Sequence, residues 1–265
     1  MKKTALTLLA GAALLLAGSA FAREVKVGTE CTNPPFNYRT SGGELAGFDI
    51  DIAREIAKRS GFQLSFVCQS LDGVIPALTS RKFDMVLASL SITEARQKSI
   101  DFSIPYRSST GRFVAPNASK LEPVTADGTP NPKALDGKTI GLIRSSTYDR
   151  YFTELFPGVQ ISRYENYETL LLDLVSGRVD AIMAGPIKME SFFAEPQGKG
   201  FKYVGPELEN VKYFGPGVGV GLRKNEPELL TQINDALKGM FADGTFKAIN
   251  QKYWKFTVLP SVWND

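Results

Sequence analysis

Ile75 to Ser89, IPALTSRKFDMVLAS, and Leu171 to Gly185, LLDLVSGRVDAIMAG, are two versions of one unit. Each runs from the apolar face of a helix, through a serine at the turn and a basic residue, to an aspartate and an apolar strand that ends on small residues. The copies stand 96 positions apart, which fits two similar lobes better than one continuous sheet. Each copy also has its own first strand upstream, Val25 to Thr29 and Thr139 to Leu142.

Outward from the first copy, Asp49, Ile52, Ala53, Ile56 and Ala57 fit a helix opened by an acidic cap and closed at Gly61. Gln63 to Val67 reads as a strand, and Asp72 opens a second helix that leads to the strand Met85 to Ala88. The result is a β-α-β-α-β half with a parallel sheet. Pro105 to Gly111, PYRSSTG, reads as an extended crossing, and Asn210 to Val218 as a return. The strand Val218 to Leu222 and amphipathic helices around 227–242 and 244–253 then pack back on the first lobe. The predicted fold is α/β and two-lobed, each lobe a mostly parallel sheet flanked by helices. Lobe 1 is discontinuous, 23–108 and 218–265; lobe 2 covers 112–209; a two-strand hinge lies at about 109–111 and 210–217.

The 265 residues are 43% hydrophobic and 22% charged, an ordinary globular composition. Histidine is absent, which excludes Ser-His-Asp and Cys-His nucleophile systems and any His-ligated metal site. Lys2 and Lys3, the apolar run Ala5 to Ala17 and Ala20-Phe21-Ala22 describe a secretory signal over residues 1–22, cleaved after Ala22. Removing the two signal lysines from 31 basic residues leaves 29 against 28 acidic ones, a net +1 that points to no nucleic-acid partner. Export permits a disulfide between Cys31 and Cys68, each after a strand; the alternative is two buried thiols.

Ser89-Leu90-Ser91-Ile92-Thr93-Glu94-Ala95-Arg96 follows a strand at the carboxyl edge of its sheet, where α/β folds place ligands. Arg96 offers a planar fork for a carboxylate, or else Thr93 only caps a short helix with Arg96 on its solvated face. Arg144-Ser145-Ser146-Thr147 follows the first strand of lobe 2 and opens a helix whose N-terminus suits an anion, with plain capping as the alternative. Glu30 stands at a strand end and is placed in the cleft. Gly215 to Gly221 leads into a strand and opens no helix, so it is no dinucleotide loop.

GTECTNPPFNY (28–38), GFDIDIAREIAKRSG (47–61), ASLSITEARQKSIDFS (88–103) and YFGPGVGVGLRK (213–224) resemble the periplasmic polar amino-acid-binding proteins of ABC importers, nearest the lysine/arginine/ornithine and histidine binders. The likeness spans nearly the whole mature chain. It implies a monomeric, cofactor-free periplasmic receptor that is not an enzyme and delivers an amino-acid ligand to an inner-membrane permease by hinge closure. Arg96 is implied to hold the α-carboxylate with the Ser91 and Thr147 amides. Ser89 and Ser91 are implied to accept from the α-ammonium, and Glu30 to meet a distal cation. Three departures stand out: Gly185 replaces the family's ammonium-binding Asp, Asn33 and Leu71 replace two sandwiching aromatics, and Arg144 adds a second guanidinium. They favour a ligand bulkier than lysine or arginine, with a hindered or secondary amine and a second acidic group, such as an opine; the alternative is a free α-amino acid whose ammonium is met by Glu30 or another residue. The alternative is an exported lyase similar to cyclohexadienyl dehydratase, with Glu30 as its acid.

Overall fold

The computed structural model describes residues 23–260 and Trp263; the signal reading on residues 1–22 lies outside them. The first sheet orders its strands 62–68, 23–29, 85–86, 221–223 and 100–102. The second repeats that plan with 160–164, 139–143, 181–184, 111–116 and 201–208. In each, the three strands of the repeated half are parallel, as predicted. One strand in each sheet, 221–223 or 111–116, runs antiparallel to both its neighbours, and the edge strand beyond it, 100–102 or 201–208, runs again with the first three, so both sheets are mixed. The reversed strands belong to, or adjoin, the connecting segments and enter from the opposite end.

The repeat carries a backbone device visible in both copies. Asp84 accepts from the Lys26 amide at 2.9 Å while its own amide donates to the Lys26 carbonyl at 2.8 Å. Asp180 does the same to Thr139, at 2.9 and 2.8 Å. One aspartate thus locks each incoming strand to the start of its first strand, which gives the aspartate shared by both copies of the unit its structural role.

The helix Phe48–Ser60 opens on Gly47 and not on an acidic cap. Gly47 has φ 121° and a side chain there would sit 2.2 Å from the Phe36 carbonyl, so only glycine allows the chain to enter. Phe48 then packs edge-on against Phe246 and Trp254, with ring centres 5.8 and 5.1 Å away, and so binds the C-terminal helices to the first sheet. A second core around Phe113, Phe152 and Phe156 fills the other lobe. Between them the crossing segments hold each other: Tyr106 N–H donates to the Val218 carbonyl at 2.8 Å and Val218 N–H to the Arg107 carbonyl at 2.7 Å. The return predicted as extended includes one helical turn, Val211–Phe214, closed by Gly215.

Cys31 and Cys68 form a disulfide across 37 positions, joining the residue after Glu30 to the neighbouring strand. Closing a loop of that length in the unfolded chain is worth about 3–4 kcal/mol. Urea unfolding of a Cys31→Ala/Cys68→Ala variant should show a loss of that size, and a midpoint matching the parent would remove the bond from the stability of lobe 1.

Candidate ligand-binding site

One cleft between the sheets is lined by Glu30, Asn33, Leu71, Ser89, Ser91, Arg96, Ser146, Thr147 and Gly185. Arg144 is not among them; its side chain is exposed, so the expectation of a second guanidinium from that position is corrected. Side chains alternate along the Thr139–Ile143 strand and its continuation, and Ile143 is the one that faces the cleft.

Arg96 combines the two readings of its segment. The Thr93 hydroxyl caps the short helix Glu94–Gln97 by accepting from the Arg96 amide at 3.3 Å. The guanidinium nevertheless turns to the cleft, donating to the Ser91 carbonyl at 3.0 Å and, across it, to the Ser145 carbonyl at 3.2 Å. Burial lowers its pKa to about 10, with Glu30 pulling the other way, so it stays charged at neutral pH. Facing it is the helix Thr147–Leu155, capped by the Ser146 hydroxyl, which accepts from the Asp149 amide at 3.1 Å. A cation and a helix N-terminus facing each other across the cleft favour an anion between them.

Glu30 is buried, and the Asn33 amide donates to it at 3.2 Å. Asn33 is therefore a residue that orients the acid, in addition to lining the gap. Burial raises the Glu30 pKa to about 7, and Asp49 adds to the rise; Asn33, Lys188 and Arg96 lower it. Ser89 has φ 51° and is held by Asp49, whose carboxylate accepts from its amide at 2.8 Å and its hydroxyl at 2.9 Å. Ser91 and Ser109 hydroxyls share a bond of 2.8 Å.

At Gly185 a side-chain carbon would lie 2.8 Å from the Tyr148 hydroxyl, which donates to the Thr110 carbonyl at 2.8 Å. Tyr148 thus fills the place an aspartate would need. Burial pushes its phenol up to about 12, so it is neutral at neutral pH.

Several cleft residues escaped the sequence reading: Phe36, Arg107, Tyr148, Tyr167 and Lys188. Lys188 could have been found, because Gly185, Lys188, Met189 and Phe192 share one helical face and the last three are buried. Its ammonium donates to the Pro34 carbonyl of the opposite lobe and lies 5.0 Å from the centre of the Tyr167 ring. Burial lowers its pKa to about 8, with Glu30 and Glu195 opposing. Arg107 sits in the crossing segment, where only the packed lobes reveal which side chains face inward.

The sequence matches the model for bacterial extracellular solute-binding proteins, family 3, over residues 25–256. It is 41% identical to the L-arginine-binding protein of Pseudomonas aeruginosa, covering 98% of this chain and all of the relative. It is 31% identical to the octopine-binding periplasmic protein of Rhizobium meliloti, over 96% of this chain and 98% of that one. Among solved structures, an ancestral arginine-binding protein bound to arginine superposes with a TM-score of 0.78 at 35% identity, covering 87% of this chain and 98% of its own. An ancestral amino acid-binding protein described as a precursor of cyclohexadienyl dehydratase gives 0.75 at 30% identity, over 88% and 96%. With its family match spanning almost every described residue and the cleft set between two like sheets, this chain belongs to family 3 of the bacterial extracellular solute-binding proteins.

Proposed function

We propose that the chain is the periplasmic receptor of an ABC importer, exported with cleavage after Ala22, which captures a polar or N-substituted, opine-like amino acid as a monomer and delivers it to the permease. The carrying observation is Arg96, a charged fork on the cleft wall that reaches backbone carbonyls of both lobes. A ligand carboxylate seated there engages lobe 1 and the helix N-terminus of lobe 2 together, and so favours hinge closure between the crossing segments. Glu30 receives a cation at the far end. The absence of an acid at position 185 removes the counter-charge a buried primary ammonium would need there, and a hindered or secondary amine, with one fewer N–H to satisfy, loses less by it. The named ligands of the arginine- and octopine-binding relatives agree with this chemistry.

Calorimetry of the mature protein against basic amino acids and opines tests the reading. In the free protein Glu30 is protonated below about pH 7; a ligand cation lowers that value, so binding expels a proton. Affinity should therefore rise with pH by up to about tenfold per unit below pH 7 and level off above it. Titrations in buffers of different ionisation enthalpy should show the proton release near pH 6. A flat profile for a cationic ligand would take Glu30 out of the site, and no binding by any member of the panel would end the receptor reading.

A lyase reading is favoured by one observation: a buried carboxyl with a pKa of about 7 is suited to general-acid work at neutral pH. Conversion of prephenate or arogenate by the pure protein would establish it; stoichiometric binding without turnover would exclude it.

A further inference from the structure

We infer that the ligand carries a second acid group, which is received by Arg107. This rests on the receptor reading and narrows it. Arg107 is only 8% exposed and lines the same cleft as Arg96. Its backbone is clamped to Val218 in the crossing segments, so the side chain is presented from the cleft floor. Its guanidinium lies 4.2 Å over the Phe36 ring. One terminal nitrogen donates to the Ser108 carbonyl at 3.3 Å, while the buried Nε has no partner. Among the described residues no carboxylate lies within ion-pairing distance of it.

The charges of the cleft show what Arg107 lacks. Three cations face the space, Arg96, Arg107 and Lys188, against one acid, Glu30. Asp49 stands behind the wall, fully buried, with its oxygens taken by Ser89, Asn37 and Tyr106. Glu30 meets the ligand cation, the ligand α-carboxylate offsets Arg96, and the Lys188 ammonium is held by the Pro34 carbonyl and the Tyr167 ring. Arg107 is left over. A guanidinium withdrawn from water with an unsatisfied N–H is costly, and a carboxylate matching its fork removes that cost with two directed bonds. Two sources provide such a group: the side chain of an acidic amino acid, or a carboxyalkyl substituent on the amine of a larger one. At position 185, where the neutral Tyr148 hydroxyl takes the place of an acid, neither is repelled.

The test is calorimetry of the mature chain with arginine, glutamate and N-(1-carboxyethyl)arginine. Wild type should bind at least one of the two di-acids more tightly than arginine, by about tenfold or more, and the arm that responds identifies the source. Arg107→Gln should weaken that di-acid by about a hundredfold and arginine by far less, so that the order of preference reverses. Arg107→Lys, which keeps the charge and much of the packing on Phe36, should recover part of the loss and guards against a folding defect. Arginine bound more tightly than both di-acids, or Arg107→Gln weakening all ligands alike, overturns the inference and leaves the receptor reading standing. Binding of none of the three overturns both.

Discussion

Arg96→Ala should lower the affinity for the preferred amino-acid ligand by about two to four decades, or about 3–5 kcal/mol. The size follows from what is left behind. The ligand carboxylate would still be drawn from water on closure, but only the Ser91 backbone and the Thr147 helix N-terminus would remain to meet it. The variant would also lose the guanidinium bonds to the Ser91 and Ser145 carbonyls, one in each lobe. Binding and closure are therefore weakened by one change. Arg96→Lys separates the contributions: it restores a point charge without the fork, so it should regain part of the affinity and little of the geometric selectivity. Calorimetry on the three proteins decides the matter. An alanine variant that binds as the parent does would remove Arg96 from the site and, with it, the account of how the lobes are joined by ligand.

Residues whose role is local could be read from sequence. Asp84 and Asp180 occupy the same place in the repeated unit and make the same pair of backbone bonds, and Ser146 caps the helix that its position announces. Arg96, too, was recognisable, since a residue following a parallel strand is delivered to the sheet edge whatever else the fold does. The cleft's other cations were not, for a physical reason. Whether Arg107 or Lys188 faces ligand depends on how two sheets formed from distant parts of the chain are set against each other, and no local pattern encodes that. Arg144 fails in the reverse direction: its sequence neighbourhood is right, but one step of strand alternation carries it outside. Gly185 shows the same limit, because the loss of an acid there makes sense only once Tyr148 is found in the vacated space.

Asp49→Ala should cost lobe 1 as much stability as the truncation of a large core side chain. The residue stands in the first turn of the helix Phe48–Ser60, where an acid is ordinarily solvated, yet it is fully buried. One oxygen accepts from the Ser89 amide and hydroxyl and from the Asn37 amide at 3.0 Å, and the other from the Tyr106 hydroxyl at 2.9 Å. Burial, with the Asp49 charge adding to it, raises the Tyr106 pKa well above the ordinary phenol value, which keeps that hydroxyl a donor. Three segments that reach the cleft thus converge on one carboxylate, and it holds Ser89 at a positive φ that a serine rarely adopts. Alanine would leave buried donors without acceptors, each costing about 1–3 kcal/mol, for a total of about 5 kcal/mol. Asp49→Asn keeps an oxygen for Ser89 and Asn37, and its new amide can donate to Tyr106 if the hydroxyl rotates, so its loss should be about 1 kcal/mol. Urea unfolding should therefore rank parent, asparagine and alanine in that order with a wide gap before the last. Ligand affinity should follow the same order, because Ser89 and Ser91 sit on the turn that Asp49 fixes. Equal destabilisation by both substitutions would mean that the negative charge itself is what the fold requires; no destabilisation by alanine would mean that the Ser89 turn stands without it.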